Sequence, residues 1–436
     1  MATLVGIAIS VIVLALFVVN ARAGAVAFLL GVLFSPYVTV SGYSLRVELL
    51  LIPALLAVLI IKSRPLSLRW PPLNTLYFAW YVWISIATLL GLLGASFIEI
   101  EWRDLYTLLR PVLVLFVFYN IAFSASDFYK LAASFVYAAI PLSLLAVGQS
   151  YGSKLAETLT LNTYASPARG QIDRLLMDTG AIERGVSVFE TAAYSATYFL
   201  IAVGTGLFLL LNASMHQGLT SRFLLLMSTA AALIGGVFTL SATFIAGLPL
   251  LLAWMLFVSG FANKVRLAGV ALVLLLLLYP VMTQLVESNT AAQSWLEHEV
   301  DRVSTLSLFE TRYDTSYGFV NSTIDAIRDR PLVGWGFAND ESVFLGDSLY
   351  VVLLYRGGVI GLMLFLGLLA YLGRTSLSKG SMGQMLLLWL FLLLIAGLGG
   401  PSFTIPRLQD WWWAMAAILL QSHEVCSAKM GGRPYL

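Results

Sequence analysis

Residues 349–372 read LYVVLLYRGGVIGLMLFLGLLAYL, twenty-four positions with a single charge. As an α-helix this stretch is about 36 Å long, enough to cross a hydrocarbon layer about 30 Å thick. A strand is excluded for such a segment, because a lipid-exposed backbone must satisfy its own hydrogen bonds. Further apolar runs lie on both sides, at about 24–40, 47–61, 73–93, 105–123, 129–147, 191–211, 223–240, 244–260, 267–280, 384–399 and 408–421. Leu4–Val19 adds one more, and with no cationic segment before it the run reads as a retained helix rather than a cleaved signal. Composition agrees: 59% of the 436 residues are hydrophobic and 11% charged, against about 45–50% and 25% in soluble domains. A water-soluble enzyme with one apolar core is excluded. The expectation is an all-α polytopic membrane protein with about 12–13 transmembrane helices, the first two being short for separate crossings.

Charge placement sets the expected orientation. One set of alternate connections carries Arg22, Lys62, Arg64, Arg69, Lys130, Arg222, Lys264, Arg266, Arg374, Lys379, Lys429 and Arg433, with only Asp127 and Glu424 as acids. That set should be cytoplasmic, and with it the C-terminus. The opposite set holds nearly all carboxylates and both long loops, 148–190 and 281–347. Five regions follow: N-terminal helices over 1–147, a first long loop over 148–190, central helices over 191–280, the large loop over 281–347, and C-terminal helices with a tail over 348–436. The net charge of +2 gives no sign of nucleic acid. Cys426 is the single cysteine, so no intramolecular disulfide can form, and His216, His298 and His423 lie too far apart in sequence for a histidine-built metal site.

Long loops without obvious structure usually carry function. Within 281–347, Tyr317, Val320, Ile324 and Ile327 recur at helical spacing between Thr315 and Arg330, while Asp325, Arg328 and Asp329 fall off that face. Pro331 should end this helix, and Gly334-Trp335-Gly336 should turn the chain. The helix reads either as a lid over the membrane domain or as a plain amphipathic surface helix. Arg169, Arg174 and Arg184 in the first loop and Arg302 and Arg312 in the second suit phosphate oxygens, which a guanidinium fork holds in bidentate fashion. Each also has acids nearby in sequence, so ordinary ion pairing competes with that role. Two charges fall a full turn or more inside spans. Arg110 either snorkels outward or joins the anion site, whereas Arg356, nine residues beyond Asp347, lies roughly 13 Å along a helix. An intramembrane arginine normally faces a partner or a wet cavity.

Asp329-Arg-Pro-Leu-Val-Gly-Trp-Gly-Phe, then Asp347-Ser-Leu-Tyr-Val, then Gly358-Val-Ile-Gly361 resembles the O-antigen ligase/polymerase superfamily. Arg312 matches an arginine of that family, and Arg302-Val-Ser304 is similar to its Arg-x-Ser element. The resemblance covers roughly residues 300–365. It implies a GT-C-like inverting glycosyltransferase in the bacterial inner membrane, with the long loops periplasmic and the large one containing short amphipathic helices. It implies donor and acceptor glycans on undecaprenyl diphosphate, membrane lipid around the site, a chain-length regulator and a flippase as accompanying proteins, and no cofactor. The family's histidine falls on Asp347, its asparagine on Ser348 and its tyrosine on Tyr350. Absence of that histidine favours a repeat-unit polymerase over a lipopolysaccharide ligase. Ser241-Ala242-Thr243 also departs from the Ser-Arg of many relatives, so an arginine elsewhere should supply the phosphate contact, Arg110 or one of the 148–190 loop.

In the implied reaction an acceptor hydroxyl attacks the anomeric carbon of a chain on a second lipid diphosphate. Asp347 and Arg312 are the catalytic candidates. Arg302, Arg312, Arg169, Arg174, Arg184 and Arg110 are candidates for diphosphate, and Tyr350, Trp335 and Ser348 for sugar. Asp347 reads equally well as a helix N-cap. A ligase or protein O-oligosaccharyltransferase with the same donor, and a secondary transporter, are the alternative functions.

Overall fold

The computed structural model describes residues 2–40, 43–46, 48–63, 68–93, 99–100, 102–159, 185–189, 191–212, 219–258, 261–288, 297, 301, 305, 318–339, 343, 348–405 and 407–430. The chain opens with a helical hairpin, α1 (Ala2–Val19) and α2 (Ala21–Leu33). Asn20 turns it by accepting the backbone N–H of Arg22 and Ala23, at 3.0 and 3.2 Å. A short antiparallel pair, β1 (Tyr37–Val40) and β2 (Tyr43–Arg46), leads into α3 (Glu48–Lys62). Then come α4 (Pro72–Leu93), β3 (Glu99–Ile100), α5 (Trp102–Tyr119), α6 (Ala125–Tyr137), α7 (Ala139–Ser150) and α8 (Lys154–Leu159). The central helices are α9 (Ala192–Leu211), α10 (Leu219–Phe238), α11 (Ala242–Val258) and α12 (Phe261–Ser288). The amphipathic α13 (Gly318–Asp329) and β4 (Ala338–Asn339) precede α14 (Leu349–Leu377), α15 (Gly380–Ala396) and α16 (Leu408–Met430).

Among the described residues, five helical segments are long and apolar enough to cross a membrane: Pro72–Leu93, Ala125–Ser150, Ala192–Leu211, Thr220–Phe238 and Leu349–Leu377. Each falls within a few residues of a run visible in the sequence. Most of the remaining runs form shorter apolar helices, among them Thr3–Val19, Ala21–Leu33, Leu49–Lys62, Leu105–Tyr119, Ala242–Val258 and Gly380–Ala396. The chain is therefore a helical membrane protein in its described part.

Two helices sit at the centre. In α9 nearly every residue is buried, and in α16 every side chain from Leu408 to Leu420 is buried. A helix apolar around its whole circumference belongs inside a bundle. Aromatic rings knit α16 to its neighbours: Tyr77 meets Trp413 edge-on at 5.1 Å, Phe135 meets Trp411 at 5.1 Å, and Phe403 meets Trp412 at 5.6 Å.

The helix ends separate into two levels. At the lower end Arg22 pairs with Asp127 at 3.3 Å, the Lys62 ammonium reaches the Val18 carbonyl, Arg69 exchanges hydrogen bonds with Asn120, and Tyr129 meets Ser381. These residues belong to, or adjoin, the basic connections of the sequence. At the upper end α2, α4 and α15 finish and α3, α5, α14 and α16 begin. There β3 pairs with β4, and the Gly397 carbonyl accepts the Leu349 N–H at 2.8 Å.

Candidate functional site

The upper half of α14 is broken. Gly358 has φ +59° and ψ −164°, outside the helical region, and the turn 331–336 fills the gap. In an unbroken helix the N–H groups of Val359 and Ile360 would donate to the carbonyls of Tyr355 and Arg356. Here Val359 donates to Pro331 at 2.8 Å and Ile360 to Leu332 at 3.2 Å, while Tyr355 and Arg356 accept from Trp335 at 2.7 Å and Gly336 at 2.8 Å. Two helical hydrogen bonds open and all four groups are matched by the inserted turn. The next carbonyl, of Gly357, accepts the Trp83 indole N–H at 2.9 Å. Backbone without helical partners survives at membrane depth only where protein covers it. Close approach explains the glycines: a Cβ on Gly334, itself at φ +75°, would stand 2.6 Å from the Gly358 nitrogen and the Tyr355 oxygen, and one on Gly358 would overlap the Leu332 carbonyl.

The same turn holds the amphipathic helix. Trp335 donates its indole N–H to the Ala326 carbonyl in α13 at 2.7 Å. The Arg330 guanidinium lies 4.3 Å over the Trp335 ring and donates to the Leu90 carbonyl at the end of α4, at 2.7 Å. Phe337 N–H donates to Thr88 Oγ1 at 2.8 Å, and the Tyr355 hydroxyl donates to the Ala338 carbonyl at 3.0 Å. On α13 Thr323 is buried and Ile324 and Ile327 half-buried, whereas Asp325 and Arg328 form an exposed pair at 3.2 Å. The helix expected over Thr315–Arg330 is thus fastened to the bundle at its C-terminal end.

Buried charge gathers at this upper end. Among the described buried residues the charged ones are Arg46, Arg110, Arg356, Arg407 and Asp410. Arg110, fully buried in α5, makes a direct ion pair with Asp410 at the start of α16. Of its two readings, outward snorkelling is therefore corrected: an acid inside the bundle holds it inward. Arg407, also fully buried and at φ +72°, donates to the Ser35 carbonyl at 2.8 Å and so ties the entry of α16 to the exit of α2. Beside them Asp410 Oδ1 and both polar atoms of the Gln409 amide are buried without a hydrogen-bond partner among the described residues. Arg356 sits next to the break with its guanidinium 5.6 Å from the Phe337 ring. At 8% exposure it is the most accessible of the four arginines.

The sequence candidates divide accordingly. Arg169, Arg174, Arg184, Arg302, Arg312 and Asp347 lie outside the described residues. Ser348 is buried and is itself the N-cap of α14, so the cap expected at Asp347 falls one residue later. It makes no side-chain cap bond, and the first turn receives its acceptor from Gly397 instead. Tyr350 donates its hydroxyl to the Leu394 carbonyl in α15 at 2.9 Å. Trp335 spends its N–H and one ring face on the clamp. Arg46, Arg407, Asp410 and Gln409 escaped the sequence reading, because charges at the border of an apolar run look like interface residues. The usable signal was Arg407-Leu-Gln-Asp410, two opposite charges one turn apart at the mouth of a run whose next three residues are Trp411, Trp412 and Trp413.

No family model matches the chain, and no curated protein matches it.

Proposed function

We propose that this chain is a membrane glycosyltransferase that joins undecaprenyl diphosphate-linked repeat units at the periplasmic face of a bacterial inner membrane. In this reading the chain makes about 12–13 crossings, the upper end is periplasmic, the architecture is GT-C-like and 281–347 is the loop over the site. One observation carries it. Two of the motif pieces behind the O-antigen ligase/polymerase resemblance lie about twenty residues apart in sequence, yet Pro331 with Gly334-Trp335-Gly336 and Gly358 build one device, the clamped break of α14. Residues that resemble a motif and also act as one physical unit support the resemblance better than spacing does. Buried guanidinium groups at the same end add an electrostatic reason, since a departing diphosphate needs its growing charge neutralised.

The step is an inverting displacement. The acceptor hydroxyl oxygen bonds to the anomeric carbon, the bond from that carbon to the diphosphate oxygen breaks, and the hydroxyl proton passes to a carboxylate. Asp347 is the proposed base, with Arg302 and Arg312 on the diphosphate. Purified protein given an undecaprenyl diphosphate-linked repeat should produce a ladder of longer chains. Absence of the ladder together with transfer to lipid A–core would replace the polymerase by a ligase, and solute uptake into proteoliposomes without either product would replace it by a transporter.

A further inference from the structure

We infer that Arg356 is a binding residue for the diphosphate of the lipid-linked substrate, held in place by the inserted turn 331–336 and by Trp83 as positioning elements. The inference rests on the glycosyltransferase reading and names a residue which that reading leaves unassigned. Three observations lead to it. First, a charge inside an apolar helix is expensive enough that it marks a binding or pathway position by default, and Arg356 lies two turns into α14. Second, the N–H groups at the break, on Val359 and Ile360, already donate to Pro331 and Leu332, so the new helix start inside α14 is closed to an anion, and the turn's own cation, Arg330, lies over the Trp335 ring and donates to the Leu90 carbonyl.

Third, the backbone around Arg356 is fixed on both sides. Its own carbonyl accepts from Gly336, the preceding carbonyl from Trp335 and the following one from Trp83. A long side chain whose Cα cannot drift starts closer to its bound geometry, which lowers the ordering loss on binding. The buried arginines at this end also differ in access: Arg110, facing Asp410, and Arg407, facing the Ser35 carbonyl, have no exposure at all, whereas Arg356 keeps 8%. The chemistry selected is a diphosphate, two linked phosphates that a planar fork matches in bidentate fashion. Lipid-linked diphosphate and free inorganic diphosphate share that chemistry.

The test uses full-length protein in nanodiscs, with undecaprenyl diphosphate and inorganic diphosphate as separate probes. Affinity is read by titration, and fold integrity by melting temperature. Wild type should bind the lipid form. Arg356→Met should weaken that binding roughly tenfold or more, the scale of a lost charged hydrogen bond, and Arg356→Lys should fall between, keeping the charge without the fork. Trp83→Phe should raise KM for the lipid-linked repeat while leaving kcat and melting nearly unchanged. A folded Arg356→Met that binds like wild type overturns the inference, while a persisting glycan ladder leaves the glycosyltransferase reading intact. Wild type that neither binds nor elongates overturns both. Binding of inorganic diphosphate with exclusion of the lipid form overturns the lipid-linked assignment. Should Arg356→Met not fold, unchanged affinity in both Arg356→Lys and Trp83→Phe overturns the inference, and a loss in both supports it.

Discussion

The α5–α16 interface and the break in α14 both place polar groups inside an apolar bundle, and they do so by opposite means. Arg110 and Asp410 project from regular helices and neutralise each other with full charges. At the break the helix itself opens, and neutral backbone groups are exchanged one for one with those of the inserted turn. A charged pair tolerates some displacement, because Coulomb attraction falls off slowly with distance. Backbone exchange tolerates almost none, since every bond depends on distance and angle. The first arrangement therefore suits a joint between helices, and the second suits a fixed mount.

This contrast is open to direct challenge. Removing one member of the ion pair should do the most damage: Asp410→Ala leaves a buried guanidinium without its carboxylate and should cost about 3–5 kcal/mol. Unfolding in detergent measures it, and the double variant Arg110→Met with Asp410→Leu should recover a large part of the loss. If the double variant is as unstable as the sum of the singles, the joint is not an isolated pair. Next comes Gly358→Val, where a side chain at φ +59° meets the Leu332 carbonyl. Backbone strain alone should cost about 1–3 kcal/mol, and protease sensitivity within 318–337 should rise as the turn is expelled.

A smaller effect is expected for Trp335→Phe, which deletes the donor to the Ala326 carbonyl but keeps a ring for Arg330. A loss of about 0.5–1.5 kcal/mol is the scale of one hydrogen bond, and hydrogen exchange should speed up in α13 more than in α14. The smallest change belongs to Gly367→Ala, in the regular lower part of the broken helix, where a Cβ meets nothing within 4 Å. It should be neutral or stabilise by up to about 1 kcal/mol. A strongly destabilised Gly367→Ala would show that the lower part of α14 is as constrained as the break.

Much of the architecture was legible because hydropathy follows apolar length directly. Pro72–Leu93, Ala192–Leu211 and Leu349–Leu377 were visible as uninterrupted runs, and α13 as a helix with one apolar face. The turn at Gly334-Trp335-Gly336 was legible from its glycines, both of which have positive φ. Its destination was not. Gly357-Gly358 lies in a run apolar enough to read as one helix, and nothing local says that a segment twenty residues upstream enters there. The ion pair was hidden for a related reason: Arg110 was conspicuous, but its partner stands near the other end of the sequence and looked like a border charge. Pairing across such distances is a property of the packed bundle, which periodicity cannot report.

Arg110 and Asp410 are 300 positions apart, and translation runs from one to the other. At about 5–20 residues per second a ribosome needs roughly 15–60 s to cover that distance. Throughout that interval α5 carries its guanidinium while the neutralising carboxylate has yet to be synthesised. The α5–α16 joint therefore cannot close until α16 emerges, and a chain that stops before residue 408 should turn over faster in the membrane than one that includes α16. The joint is thus a late event in the assembly of the bundle.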